Sequence, residues 1–160
     1  MNEASGSGDA LPMASAKAQG HVDTIREEVL AMVRDALEHT LSKERVEAAV
    51  VTVGTTLDSD CFVPFIDSNI AHAADTKVAA VASAVASYNQ HVEDSLGQSL
   101  PVPGALLGPA LSHADDAVVA VLASALETFL TPDDVKAATV EMQVRRKKES
   151  FPILLYTTCW

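Results

Sequence analysis

Thr131-Pro-Asp-Asp-Val-Lys-Ala-Ala-Thr-Val-Glu-Met-Gln-Val-Arg-Arg-Lys-Lys-Glu-Ser-Phe-Pro-Ile-Leu-Leu-Tyr-Thr-Thr-Cys-Trp160 closes the sequence, and its reading decides the fold. It opens as a helix start: Thr131 suits an N-cap, Pro132 the first helical position, and Asp133 and Asp134 the positive end of the helix dipole. That helix is expected to last a turn or two, because strict alternation begins at Thr139. Val140, Met142 and Val144 are apolar, whereas Thr139, Glu141, Gln143 and Arg145 are polar. A period of two places these sets on opposite faces of a strand. Beyond Arg146-Lys-Lys-Glu-Ser150, Phe151–Trp160 is again dense in strand formers. The two runs read as a β-hairpin with a basic turn. The competing reading is one helix from Pro132 to Lys148, with no sheet beside it.

Upstream, Ser112-His-Ala-Asp115 opens a helix in which Val118, Val119, Val121, Leu122, Ala125, Leu126, Phe129 and Leu130 cover most of the circumference. Such a helix is expected to be buried. Leu100–Pro109 reads as a stiff loop. Residues 70–96 form a helix, since Ala74, Val78, Val81, Val85, Tyr88 and Val92 step by four and three, and Gly97 follows its end. Val46–Leu57 is rich in β-branched residues and suits a central strand. Asp58-Ser-Asp60 reads as a turn, and Cys61–Ile66 as an edge strand because of Pro64. Thr24–Ser42 is an amphipathic helix with a Thr24/Glu27 capping box. Residues 1–20 read as a disordered tail.

The fold class these elements imply is α+β: a small antiparallel sheet covered by amphipathic helices. Residues 21–160 would form a single domain with a helical insertion near residues 58–111.

Composition narrows the function. The formal charge is −11, and residues 1–144 hold 21 acids against 7 bases, so nucleic acid is an unsuitable partner. Only Arg145–Lys148 is basic, and it reads as a solvated turn or a contact for an acidic partner. Cys61 and Cys159 make neither a disulfide framework nor a zinc pattern, which suits a reducing compartment. The run Ala117–Leu126 is too short to cross a bilayer, so no membrane insertion is expected.

No catalytic, cofactor-binding or metal-binding residues are expected. His113 with Asp115 and Asp116 is better explained as a helix start than as a metal site. Asp58 and Asp60 lack the rest of a calcium loop. Cys61 with His72 is the one thinkable nucleophile–base pair. The expected job is non-enzymatic protein binding. The candidate interface is Val118, Val121, Leu122, Ala125 and Phe129 with Arg145, Arg146, Lys147 and Lys148, because apolar surface beyond what one domain covers marks an interface.

The segment Val140-Glu-Met-Gln-Val-Arg-Arg-Lys-Lys-Glu-Ser-Phe-Pro-Ile-Leu-Leu155 resembles the strand–basic turn–strand of Roadblock-type dynein light chains. His113–Leu130 would be the long helix before it. Thr24–Leu41 and Val46–Val53 would supply the family's first helix and strand. The stretch from Asp58 to Leu111 departs from the pattern as an insertion, and the chain stops where the family usually adds a strand.

The resemblance implies a homo- or heterodimeric adaptor for a dynein intermediate chain, cytoplasmic and cytoskeletal or ciliary, or a scaffold for a small GTPase. An alternative is an all-helical, histone-fold-like interaction module, because Leu130-Thr-Pro-Asp-Asp-Val-Lys-Ala-Ala138 resembles the loop and last helix of such folds.

Overall fold

A computed structural model describes residues 11–96 and 104–155, with side chains in the last helix described as far as Lys148. It is built from helices: α1 (Ser15–Leu37), α2 (Lys43–Leu57), a π-helical turn (Asp58–Phe62), α3 (Val63–Leu96), α4 (Gly104–Leu126) and α5 (Pro132–Leu155). The α+β expectation is therefore wrong: among the described residues there is no strand.

Each predicted strand is helical for a physical reason. Ser42 takes an extended conformation directly before Lys43, and Val46 donates its N–H to the Ser42 carbonyl, so α2 starts there. The β-branched run Val50–Val53 then follows a helix already nucleated, where burial along one face outweighs a modest strand preference. The expected edge strand Cys61–Ile66 lies in the π turn and the start of α3. Pro64 has no N–H and its ring crowds the carbonyl four residues back, which a wider turn just upstream relieves. Val63 accordingly donates to Asp58 rather than to Ser59.

The expected hairpin is α5. Thr131 caps it as the sequence indicates: its Oγ1 accepts from the Asp134 N–H at 3.2 Å and donates to the Asp134 carboxylate at 2.6 Å. The helix then runs 24 residues instead of a turn or two. Nothing between Pro132 and Pro152 stops it; the stretch holds no Gly or Asn. At about 100° per residue, Val140 and Val144 share one face while Met142 lies opposite. Residues 156–160, the end of the expected second strand, lie outside the described residues.

The other helices are closer to expectation. Residues 70–96 fall within α3, which ends at Leu96. α4 begins at Gly104, so Gly104–Pro109 is helical and not part of a loop. α1 begins at Ser15, inside the stretch read as a tail. By its internal contacts the chain divides into two compact units, Met1–Ala73 and Ala74–Trp160.

In the first unit α1 lies antiparallel to α2 and the π turn. Arg34 of α1 reaches Glu47 of α2, whereas Arg26, earlier on α1, reaches Asp58, later on the other strand of the helical hairpin. On α2 and the π turn, Val46, Val50, Gly54 and Phe62 form a buried row; Leu30 of α1 approaches Gly54, while Val22, buried on α1 like Ala18, lines one groove with Phe62. An i+4 row drifts about 40° per step in an α-helix, and the wider π turn offsets part of that drift, which keeps Phe62 facing α1. A hydrogen-bonded clamp holds the segment before α1. The Met13 N–H donates to Asn69 Oδ1 at 2.9 Å, and Asn69 Nδ2 donates to the Met13 carbonyl at 3.0 Å. Asn69 is 2% exposed, and both ends of its amide are satisfied as burial demands.

The second unit is a three-helix bundle. α3 contributes Val81, Ala84, Val85 and Tyr88; α4 contributes Ala114, Val118, Leu122 and Leu126; α5 contributes Ala138 and Met142. A tight turn joins α4 to α5, with Leu130 bonded back to Leu126 and Phe129 buried within it. Lys77 of α3 pairs with Glu141 of α5, and Tyr88 pairs with Arg146 further along, so α5 runs parallel to α3 with α4 antiparallel to both.

Candidate functional site

The expected interface residues separate into two groups. Val118, Leu122 and Phe129 belong to the core of the three-helix unit. The i+4 spacing of Val118 and Leu122 serves internal packing, not a partner. Val121 is 65% exposed, and Ala125 beside it is also exposed. The helix that the sequence paints as apolar all round thus buries one side and leaves another open.

The basic cluster divides as well. Arg146 turns inward: its guanidinium lies 4.5 Å above the Tyr88 ring and forms an ion pair with Asp115. The side chains of Arg146 and Asp115 are 14% and 33% exposed. A planar guanidinium can stack on a ring and meet a carboxylate at its edge together, which suits this junction of three helices. Lys147 and Lys148 point to solvent, and Arg145 is exposed. What reads in sequence as four equivalent charges is one structural arginine, an exposed Arg145 and two lysines that point to solvent.

Sequence reasoning missed the roles of Tyr88, Asp115 and Lys77 here. Tyr88 was placed on an apolar stripe and Asp115 at a helix start. The available signal was an arginine at the spacing of the buried face of α5, four residues after Met142.

In the first unit, Arg26 meets Asp58 in a two-pronged contact, Nε to Oδ1 at 3.0 Å and Nη2 to Oδ2 at 3.1 Å. The hydrogen bond and charge of Asp58 raise the Arg26 pKa. Beside this pair an open groove is lined by Gln19, Val22, Asp58, Phe62, Val63, Ile66 and Asp67. Glu44 accepts hydrogen bonds from its own backbone N–H and from Ser42, which hold its carboxyl below the usual range.

The arrangement offers little for chemistry. Cys61 is exposed on the π turn, and His72 lies eleven positions further along helical backbone. At about 1.5 Å per residue the two are roughly 16 Å apart, so that nucleophile–base pair does not form. Among the described residues no three His, Cys, Asp or Glu side chains gather to hold a metal ion.

What the helices do offer is uncovered apolar surface. Ile25 and Met32 on α1, Val51 on α2, Val121 on α4, and Val140 and Val144 on α5 are all exposed. Two helical stretches, within Lys43–Leu96 and Ala105–Leu126, each contain 18 residues of mean hydropathy 1.3 and only 17% buried. By length and composition they could cross a membrane.

No protein-family model, curated protein or solved structure matches the chain.

Proposed function

We propose that this protein is a non-enzymatic assembly subunit that works by docking its exposed helix faces against helices of another protein molecule. The observation that carries this reading is the placement of large apolar residues. Val51 at 67% and Val121 at 65% exposure sit on well-formed helices whose opposite sides already pack. Single exposed apolar side chains are ordinary, but several on successive helices are what an interface supplies.

The hairpin behind the Roadblock resemblance is α5, so the dynein intermediate chain loses its proposed strand-edge contact, and a helix face takes the hairpin's place. An all-helical interaction module fits these elements better, although α3 and α5, at 34 and 24 residues, do not suit the lengths of a histone fold. The charge of −11 suits a water-exposed surface.

Photo-crosslinking in cells tests the reading by position. A photoreactive residue at Val51 or Val121 is expected to give discrete protein adducts, whereas one at Glu27 or Ser124, also exposed, is expected to give few. Equal labelling at all four positions, or none at any, would defeat it.

A second reading, helices inserted in a bilayer, is favoured by the two apolar stretches and the little burial inside them. Flotation with membranes after carbonate washing would support it. Recovery in the soluble fraction would leave the docking reading in place.

A further inference from the structure

On α5, Ala137, Val140 and Val144 follow one another at three and four residues, opposite Ala138 and Met142, which are buried in the bundle. Val140 is 58% exposed and Val144 49%. The helix is thus apolar on two opposite sides, and only one is covered. Lys147 takes the next step along the outer stripe.

Charge along α5 is arranged by end. Asp133 and Asp134 stand in its first turn, with Lys147 and Lys148 beyond Val144. These four side chains are exposed.

Building on the docking reading, we propose that the outer face of α5 pairs antiparallel with the same face of a second copy of this chain, about a two-fold axis beside residue 142. Val140 then opposes Val144 of the second copy, and the reverse holds by symmetry. Lys147 lies across from Ala137, whose small side chain leaves room for the lysine stem. One turn further on, the ammonium group reaches Asp133, and Lys148 faces Asp134. Lys136, which contacts its own Asp133 at 3.4 Å, approaches Lys147 of the second copy, with Asp133 between them as shared counter-ion.

Parallel pairing would set aspartate on aspartate and lysine on lysine. A lysine within an apolar stripe is also a recognised device for fixing helix register. Charge pattern and side-chain size therefore select the same partner and direction. At about 1.5 Å per residue, the stretch from Asp133 to Lys148 gives a contact roughly 22 Å long.

The experiment is sedimentation equilibrium on the full chain over 1–200 µM. The wild type is expected to dimerise in the micromolar range. Val140→Glu with Val144→Glu is expected to weaken the dimer by at least about 100-fold, with unchanged helical circular dichroism because both positions are exposed. Asp133→Lys/Asp134→Lys and Lys147→Glu/Lys148→Glu should each weaken self-association, and the chain carrying all four changes should regain it. That rescue separates pairing from misfolding.

A wild type that stays monomeric at 200 µM, a dimer indifferent to V140E/V144E, or charge variants without rescue would overturn the proposal. Position-specific crosslinks from Val51 or Val121 would in each case leave the docking reading standing. Their absence would remove that reading even if α5 pairs as described.

Discussion

The two units hold an arginine–aspartate pair each, and the contrast shows how much geometry and burial separately contribute. Arg26 and Asp58 have the better-formed contact, two parallel hydrogen bonds near 3 Å, yet their side chains are 42% and 46% exposed. Arg146 and Asp115 are far less exposed, and a tyrosine ring adds to their contact. Water screens the first pair and competes for its hydrogen bonds, so little net stability follows from good geometry alone.

The apolar seams differ in the same sense. In the helical hairpin one row from α1 meets one row from α2 and the π turn, and the flank of the seam stays wet. In the three-helix unit three rows converge. The largest fully buried side chains, Leu122, Leu126, Met142, Val81 and Val118, all belong there. A third helix turns a seam into an interior.

The sharpest way to break the comparison is to empty that interior. Leu122→Ala is expected to cost about 2–5 kcal/mol, whereas Val46→Ala in the hairpin should cost about 1–2 kcal/mol. Urea titration of each variant measures both. Hydrogen exchange should show Val46–Gly54 amides opening before Leu122–Leu126 amides in the wild type. Equal losses, or the reverse order of exchange, would mean that a two-helix seam protects as well as a bundle.

Next in size is the pair itself. Arg146→Ala removes the stack on Tyr88 and leaves Asp115 partly buried without its partner, which is expected to cost about 1–3 kcal/mol. Arg26→Ala should cost much less than Arg146→Ala, and its effect should shrink in high salt. Comparable losses for the two arginines would show that contact geometry, not burial, sets the value.

A smaller effect lies at Gly54, where α1 crosses α2. A methyl group there would meet Arg26 Nη2 at 3.4 Å and Leu30 Cδ1 at 3.7 Å, both ordinary contacts. Gly54→Ala is therefore expected to stabilise α2 by up to about 1 kcal/mol through helix propensity. Gly54→Leu should push α1 away and cost stability. Thermal melts of the two variants should move in opposite directions.

Much of the helical content was legible, and the errors have identifiable causes. The stripe from Ala74 to Val92 repeats at three and four over a long window, and only a helix satisfies that. At Thr131 the cap chemistry was local and read correctly. Val140, Met142 and Val144 satisfy both periods, because the outer two are also four apart, and alternation was preferred to the absence of any stop signal. At Val46–Val53 β-branching favoured a strand, although Ser42-Lys-Glu-Arg already supplied a helix entry. The core role of Val118 and Leu122 and the solvent exposure of Val121 could not be separated, since an apolar helix does not reveal which sides its neighbours cover. Arg146 was hidden among like charges because its partners, Tyr88 and Asp115, are distant in sequence.

The smallest expected effect is a pH dependence at the start of α2. Glu44 is fully exposed, and hydrogen bonds from its own N–H and from Ser42 lower its pKa in the folded chain. A depressed folded pKa means that the charged form is favoured by folding. The stabilisation is therefore present above the unfolded carboxylate pKa, near about 4.3, and is lost as pH falls through the lower folded value. Proton release from Glu44, followed by carboxyl carbon shifts in NMR, should have a midpoint below that of an unstructured glutamate. Glu44→Gln should leave the first turn of α2 insensitive to acid in this range. An ordinary midpoint would show that the helix entry owes nothing to this carboxylate, and that Ser42 and the buried row below it suffice to start α2.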